Sequence, residues 1–269
     1  MTTASMNVNQ ASLLSSTAVI AKRTWLKFLR TPQLVVVGTV QGAMFLLIFR
    51  YVFGGLASGD LGGLNYVNFL VPGFITTGII FGGMASAAGI AEDRELGFFD
   101  RLRSLPIPRS SVLAGRAVAD TATAAWGLII MTVISFAVGF RLGGSVSQAL
   151  LAFALLIVYA FVLEWVFITL GMYAGNAQAA QGMSLLLIPM VFISSAFVPL
   201  NTLPSWMQGV AEHQPMTYMI ESVRTLTQGA RAEELLGHSA GYYVGRSLVW
   251  SVVITAVFAA ISIARYRRG

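Results

Sequence analysis

The sequence predicts an all-α integral membrane protein with six membrane-spanning helices. Hydrophobic residues make up 56% of the 269 residues and charged residues only 10%, whereas about a quarter of the residues in an ordinary soluble domain are charged. Apolar runs of about 20 residues, the length that crosses the hydrocarbon core of a bilayer as a helix, recur along the chain. The spans are predicted at 34–53, 67–90, 117–139, 149–174, 182–199 and 243–263.

The distribution of positive charge predicts the orientation of these spans. Twelve of the 17 Lys and Arg residues lie before the first span, between the second and third spans, or after the sixth span. Basic loops stay on the cytoplasmic side, so both termini and the central loop are expected there. The chain then divides into a cytoplasmic tail with an interfacial helix (1–33), a transmembrane domain (34–263) and a basic cytoplasmic tail (264–269).

An amphipathic pattern precedes the first span. From Leu14 onward, apolar residues such as Trp25 and Phe28 recur at helical spacing on one side, and the basic residues Arg23 and Lys27 fall on another. This pattern is typical of a helix that lies along the inner membrane surface. The alternative is a plain cytoplasmic extension of the first span.

A single acidic residue, Glu164, lies within the fourth predicted span. A carboxylate inside the bilayer is costly unless it is paired or hydrated, which makes Glu164 a candidate for a substrate pathway or a proton relay. The alternative is a structural hydrogen bond or ion pair, for example with an arginine near a helix end. Asp120 follows Arg116 by four residues, which is the spacing of a structural ion pair on one helix.

The loop between the second and third spans, within Ala91–Asp120, is the most charged part of the chain. It combines four acids with five arginines and is nearly neutral. The pattern predicts a short helix over Glu92–Arg103, which Pro106 and Pro108 end. Ser110 or Ser111 is then expected to cap the third span.

One side of this predicted helix is apolar, with Leu96, Phe99 and Leu102 at helical spacing. Phe98 and Phe99 are expected to be exposed at the bilayer edge. Mixed charges around an apolar patch suit a protein partner better than anionic lipid, which prefers polybasic segments. A loop that is merely solvated is the alternative interpretation.

The segment from 200 to 242 is expected on the outer side. Pro199, Pro204 and Pro215 separate two short helical patterns, and Trp206 follows the second of these prolines. Aromatic rings at this depth favour short helices at the outer interface or dipping partly into it. Such helices could form a lid over a substrate path or simply cap the helix bundle.

The residue composition and the spacing of the reactive residues exclude several classes of chemistry. The chain has no cysteine, which excludes disulfides and thiolate metal sites. Its two lysines, Lys22 and Lys27, follow Ala and Leu, so they form no phosphate-binding loop of the Walker type. His213 and His238 show no metal-ligand spacing. The basic residues lie at the ends of apolar segments instead of gathering on one surface, which argues against a nucleic-acid partner.

Two motifs carry a resemblance to a known family. Glu92 and Gly97, then Leu102, Leu105-Pro106 and Gly115-Arg116, resemble the cytoplasmic segment of ABC-2-type exporter permeases, especially the daunorubicin-resistance permeases of actinobacteria. The outer segment of that drug- and lipid-exporting branch is similar to a second run, which comprises Phe197-Val198-Pro199-Leu200-Asn201, Leu203-Pro204, Trp206, His213-Gln214-Pro215 and Tyr218.

The resemblance implies a permease subunit in the bacterial cytoplasmic membrane that is not an enzyme by itself. In that family two permeases, identical or sister chains, form the pathway within the membrane lipid, and a separate ATPase chain binds ATP and Mg. The short central helix, called the coupling helix, docks on that ATPase. By position, the contact set here would be Glu92, Asp93, Glu95, Gly97, Phe98, Arg101, Arg103 and Pro106.

The expected cargo is a hydrophobic or amphipathic molecule such as an antibiotic or an envelope lipid, because the spans carry many aromatic and Met residues and almost no charge. One alternative is export of a lipid-linked glycan by the same mechanism, for which more aromatic side chains facing the pathway would be expected. Another is a proton-coupled transporter that uses Glu164, although the sequence shows neither a second buried acid nor an inverted repeat.

Overall fold

The computed structural model of the protein describes residues 32–54, 61, 63–103 and 109–268, together with Ala18, Val19, Lys22 and Leu26. The described chain is helical, as predicted. Its helices are α1 (Pro32–Ile48, continued by a π-helical turn at Phe49–Phe53), α2 (Tyr66–Glu95), α3 (Phe98–Arg103), α4 (Arg109–Val138), α5 (Val146–Tyr173), α6 (Ala177–Ser184), α7 (Ile188–Phe192), α8 (Ser205–His213), α9 (Pro215–Gln228), α10 (Ala230–Leu236) and α11 (Ala240–Arg268).

Within the described chain, four helices are long and apolar enough to cross a membrane. They are Tyr66–Glu95, Ser110–Val138, Val146–Tyr173 and Ala240–Arg267. Each covers one of the predicted spans to within one residue at its ends. Helix α4 begins several residues before the third predicted span, so Ser110 and Ser111 lie inside α4 instead of capping it. The last helix continues through the basic residues after position 263. Val36–Val52, at the first predicted span, is a shorter apolar helix.

The fifth predicted span, 182–199, is wrong as a continuous helix. A polar break at Gly175–Gln178 separates α5 from α6, and the Asn176 side chain starts α6 by accepting a hydrogen bond from the amide of Ala179 at 2.8 Å. The chain then tightens into a 3₁₀ turn at Leu185–Leu187 before α7. Pro189 lies in the first turn of α7, where its missing N–H breaks the hydrogen-bond ladder from α6.

A serine turn follows α7 and ends the predicted span. The hydroxyl of Ser194 donates to the carbonyl of Val191 at 2.6 Å and accepts from the amide of Ala196 at 3.2 Å. These side-chain bonds replace the backbone bonds of a continuing helix. Helices α6 and α7 together therefore give only the shorter apolar segment Ala177–Phe192.

Helices α2 and α5 form the centre of the bundle. In their most apolar windows 61% and 67% of the residues are buried, compared with 22% in α4 and 17% in α11, which lie at the periphery. Glycine permits the close approach of the two central helices. A Cβ atom on Gly83 of α2 would overlap the ring of Phe167 of α5, and Gly171 of α5 lies against the backbone of Ala87.

The two short helices expected between the fifth and sixth spans are present as α8 and α9. Pro204 immediately precedes α8, and Pro215 is the first residue of α9, where its fixed backbone angle suits a helix start. Trp206 on α8 is largely exposed. In contrast, every residue of α9 from Met216 to Gln228 is buried, because this helix packs between α2, α5 and α11.

Two of the sequence predictions fall outside the described residues. The amphipathic helix before the first span lies almost entirely within residues 1–31, and Pro106 belongs to residues 104–108. Both therefore stay predictions.

Candidate functional site at the α3 end of the bundle

The short helix predicted over Glu92–Arg103 is in fact divided. Helix α2 continues through Glu95, and α3 begins at Phe98. Between them Gly97 adopts a positive φ of 66°, and its amide donates to the carbonyl of Arg94 at 3.1 Å. Glycine takes up this left-handed conformation without strain and so ends helices. Consequently Glu92, Asp93 and Glu95 belong to the end of α2, whereas Arg101 and Arg103 belong to α3.

The prediction that Phe99 is exposed is wrong. This side chain is only 4% exposed and lies in a cluster with Ile90 of α2, Leu113 of α4 and Tyr266 of α11. The rings of Phe99 and Tyr266 meet edge to face, with centroids 5.6 Å apart. Phe98 is partly buried against the same cluster. Helix α3 is therefore held against the ends of three long helices.

Leu96, in contrast to Phe99, is exposed to solvent. It is 67% exposed, although the helical pattern placed it on the apolar side with Phe99. The break at Gly97 changes the direction of the chain, so the periodicity of one continuous helix does not apply across it. The exposed apolar side chain at this end of the bundle is thus Leu96 instead of Phe99.

An ion-pair chain joins α2 to α4 directly beneath α3. The guanidinium of Arg116 contacts the carboxylate of Asp93 at 2.8 Å and that of Asp120 at 2.6 Å. The hydroxyl of Ser86 donates to the same Asp120 carboxylate at 2.6 Å. The predicted pair between Arg116 and Asp120 is confirmed. Gly89 leaves room for it, since a Cβ atom there would lie 2.8 Å from the Arg116 guanidinium.

This ion-pair chain changes the interpretation of Asp93. Its side chain is 14% exposed and is engaged by Arg116, so most of its surface faces the inside of this chain. Removal of either partner would leave the other charge partly buried and uncompensated, so the pair is costly to break. The resemblance implied that Asp93 contacts the ATPase directly, but its side chain is mostly turned away from the exposed surface.

Glu164 of α5 lies beside the same ion-pair chain. Glu164 is only 3% exposed. Its carboxyl group interacts electrostatically with Asp120 and Arg116. Its Oε2 atom has no hydrogen-bond partner among the described residues. Arg116 itself forms its ion pairs with Asp93 and Asp120, so the role of Glu164 stays a prediction.

Arg94 was missing from the predicted contact set. Its guanidinium donates to the carbonyls of Met172 and Ala174 at 2.7 and 2.9 Å and so caps the C-terminal end of α5. A cation at this end also complements the helix dipole. Arg265 of α11 lies 5.5 Å from the centre of the Tyr173 ring, at the same end of α5. Nothing in the sequence pairs Arg94 with α5, because these residues are distant along the chain.

The exposed surface at this end combines both signs of charge. Its exposed members are Glu92, Glu95, Leu96, Asp100 and Arg101, and Gly97 and Phe98 are partly buried beside them. The buried ring of Phe99 shares one hydrophobic cluster with residues of α2, α4, α5 and α11, so this surface lies on a support formed by all four long helices. We call Glu92, Glu95, Leu96, Asp100 and Arg101 the α3 surface.

A second buried ion pair, far along the chain from the α3 surface, also escaped the sequence analysis. The carboxylate of Glu221 lies 2.7 Å from the guanidinium of Arg224, and both side chains are inaccessible to solvent. Arg224 also donates to the carbonyls of Phe69 and Ser195 at 3.0 and 2.6 Å. Its guanidinium lies 3.9 Å above the Phe69 ring. The sequence offered one signal for this pair, because Glu221 and Arg224 are three residues apart and so lie on the same side of a helix.

Comparison with known proteins defines the family to which this fold belongs. The ABC-2 type transporter model matches residues 15–227, which include the α3 surface and most of α9. The chain belongs to the ABC-2 type transporter family. The family named from the two motifs is thus confirmed, and the helices of this ABC-2 protein make it a multi-pass membrane protein.

Several curated ABC-2 relatives match most of the chain. A daunorubicin resistance ABC transporter permease, DrrB1 of Streptomyces coeruleorubidus, is 28% identical over 96% of this chain and 88% of its own length. A probable doxorubicin resistance ABC transporter permease, DrrC of Mycobacterium tuberculosis, is 26% identical over 84% and 78%. The inner membrane transport permease YadH of Escherichia coli is 28% identical over 77% and 82%.

Proposed function

We propose that this protein is the membrane subunit of an ABC exporter that moves a hydrophobic or amphipathic molecule, such as an antibiotic or an envelope lipid, out across the bacterial cytoplasmic membrane. A separate ATPase chain binds ATP and Mg and hydrolyses the ATP that drives export. The observation that carries this proposal is the family match over residues 15–227. The drug-resistance names of DrrB1 and DrrC support export of a drug-like cargo.

The proposed topology has six crossings, with both termini and α3 on the cytoplasmic side. Four crossings correspond to the long apolar helices, and the remaining two to Val36–Val52 and Ala177–Phe192. The broken segment α6–α7 needs protein neighbours for its free backbone groups, and these are available from α2 and α5. The concentration of Arg and Lys at the α3 end and at the end of α11 supports this orientation.

The α3 surface is the proposed docking site for the ATPase. It offers exposed acids from the end of α2 and an exposed arginine from α3, and charges of both signs give a partner a defined register. Gly97, Phe98 and Arg103 would complete this contact together with Pro106, and Asp93 would support it from behind through Arg116. A second permease, identical or a sister chain, would complete the pathway within the membrane lipid.

Two alternatives concern the cargo and the energy source. Export of a lipid-linked glycan would use the same α3 surface and the same ATPase. A proton-coupled transporter would use Glu164, whose unpartnered Oε2 atom is the observation in its favour. The pairing of the neighbouring Asp120 with Arg116 and Ser86 favours a structural role for this region instead.

Co-purification with the ABC ATPase encoded beside this protein tests the proposal. The variant Glu92→Arg with Glu95→Arg reverses two exposed charges of the α3 surface, and Glu212→Arg with Glu234→Arg makes the same charge change at exposed positions on α8 and α10. We expect the native protein and the control to form a stoichiometric complex that hydrolyses ATP, and the α3 variant to purify alone with an unchanged melting temperature. If the native protein also purifies without the ATPase, the exporter assignment fails.

A further inference from the structure

Helix α9 is amphipathic, and its polar face is turned into the protein. Five polar residues recur at intervals of three or four, which places them on one face of the helix. We call them the α9 polar stripe: Gln214, Thr217, Glu221, Arg224 and Gln228. The opposite face carries Met219, Val223 and Leu226, which belong to the main hydrophobic core. Amphipathic helices normally present the polar face to water, so α9 is an exception.

The stripe is closed by backbone from three other parts of the chain. Arg224 donates to the carbonyl of Phe69 on α2 and to that of Ser195 in the turn after α7. The side-chain amide of Gln228 donates to the carbonyl of Arg141, in the connection between α4 and α5, at 3.1 Å. Thr217 and Glu221, between these points, are 2% and 1% exposed.

Four of the five stripe residues each retain one polar atom without a hydrogen-bond partner among the described residues. These atoms are Nε2 of Gln214, Oγ1 of Thr217, Oε2 of Glu221 and Oε1 of Gln228. Buried polar atoms are nearly always paired, so these four atoms along one helix face call for a partner that the described part of the chain does not supply.

The chemistry of these atoms selects the partner. The amide nitrogen of Gln214 donates, the oxygens of Glu221 and Gln228 accept, and the hydroxyl of Thr217 does both. An ammonium group only donates and would leave Gln214 unpaired, whereas a phosphate only accepts and would meet the oxygens of Glu221 and Gln228. The charge of Glu221 is already balanced by Arg224. A hydroxyl is neutral and both donates and accepts, so several hydroxyls spaced along the stripe can pair with all four atoms.

We propose that the α9 polar stripe binds the neutral polyhydroxyl part, such as a glycosyl group, of an amphipathic cargo. This proposal rests on the proposed exporter function and specifies its cargo. The apolar part of the cargo would lie against the apolar side chains of the bundle. For the cargo to bind, α9 would have to separate from the turn at 193–196. This movement would break the hydrogen bond between Arg224 and the carbonyl of Ser195 and would make the stripe accessible.

Substituted cysteines test access to the stripe without background, because the chain has no cysteine of its own. Thr217→Cys lies on the stripe, and Val223→Cys is the matched control on the opposite face, since both native side chains are 2% exposed. A small hydrophilic thiosulfonate is applied to each variant in the complex with the ATPase during ATP turnover. Since thiol labelling follows exposure, we expect Thr217→Cys to react about tenfold faster than Val223→Cys.

Protection identifies the ligand. Octyl glucoside below its micellar concentration should slow the labelling of Thr217→Cys, whereas octyl trimethylammonium, which has the same chain length and no hydroxyl, should not. Glucose alone distinguishes a sugar site from one that also needs the alkyl chain. Equal labelling of the two cysteines overturns the proposal. Faster labelling of Thr217→Cys without protection by octyl glucoside also overturns it, because the stripe would then contact water only.

A second measurement needs no ATPase. The melting temperature of the protein alone in nanodiscs should rise with octyl glucoside and not with octyl trimethylammonium. Thr217→Val, which keeps the side-chain size, should reduce this rise, whereas Thr227→Val, whose native hydroxyl is bonded to the carbonyl of Val223 at 2.8 Å, should retain it. A normal rise in Thr217→Val contradicts the proposal. If the rise is found but the ATPase does not assemble, the exporter assignment alone fails.

Discussion

The ring of Phe99 on α3 packs edge to face against the ring of Tyr266 near the end of α11, with their centroids 5.6 Å apart. This contact joins the short helix between α2 and α4 to the last helix of the chain. Both rings are almost fully buried. The end of α11 is therefore part of the support of the α3 surface, which the resemblance to exporter permeases did not imply.

Removal of the Tyr266 ring should weaken this support. We expect Tyr266→Ala to lower the free energy of unfolding by about 3–5 kcal/mol, as for other buried aromatic truncations, and to reduce ATPase co-purification. Tyr266→Phe retains the ring and should restore both. Tyr51→Ala is the control, because that ring is 72% exposed. Melting curves and co-purification yields provide the measurement. A stable Tyr266→Ala protein with a native yield would show that the contact is not required.

The ion pair between Arg116 and Asp93 should couple α2 to α4 energetically. A double-mutant cycle with Arg116→Met and Asp93→Asn is expected to give an interaction energy of about 0.5–3 kcal/mol, the usual range for residues in one ion-pair network. Thermal unfolding in detergent supplies the four stabilities. A cycle that pairs Asp93→Asn with Arg231→Met, at an exposed position on α10, should be additive. Additivity in both cycles would show that the ion pair contributes no coupling.

Replacement of Glu164 separates the exporter from the proton-coupled alternative. Glu164→Gln keeps the side-chain shape and replaces an ionisable group, buried beside Asp120, with a neutral amide. We expect transport within about twofold of native and a melting temperature raised by about 2–4 °C, which corresponds to roughly 1 kcal/mol. A proton relay needs a group that can release its proton, so abolished transport in a stable Glu164→Gln protein would favour the proton-coupled alternative.

Close packing of α2 on α5 predicts opposite effects at two adjacent glycines. In Gly83→Ala the new methyl group would overlap the Phe167 ring, whereas in Gly82→Ala it would meet nothing within 4 Å. Overpacking should cost Gly83→Ala about 1–3 kcal/mol of stability. Gly82→Ala should be neutral or slightly stabilising, because alanine is the better helix former. Equal melting temperatures of the two variants would contradict this packing.

Local patterns in the sequence were sufficient for much of the helical architecture. Long apolar runs predicted four of the long helices, because the length of such a run is an intrinsic property of the chain. The pair between Arg116 and Asp120 was predictable because a helix places residues four apart on one side. Prolines located α8 and α9 because proline restricts its own backbone and that of its neighbour. The break at Gly97 was missed, because a single glycine inside a helical pattern is tolerated and does not by itself mark the end of a helix.

The contacts between side chains on different helices were decided by the tertiary structure alone. Periodicity predicted that Phe99 belonged to an apolar side but not that Tyr266 would cover it. The partner of Asp93 is on α4, and the carbonyls that Arg94 caps are on α5.

The same division holds for α9, whose amphipathic pattern is evident in the sequence and whose buried polar face is not. The sequence by itself determined that this chain is a multi-helix membrane protein of the ABC-2 family, because hydropathy and motifs are carried by local residues. Only the tertiary structure decided which charges on different helices are paired, that Phe99 is buried, and that the polar face of α9 lies inside the protein. Those outcomes depend on contacts between helices that are far apart along the chain.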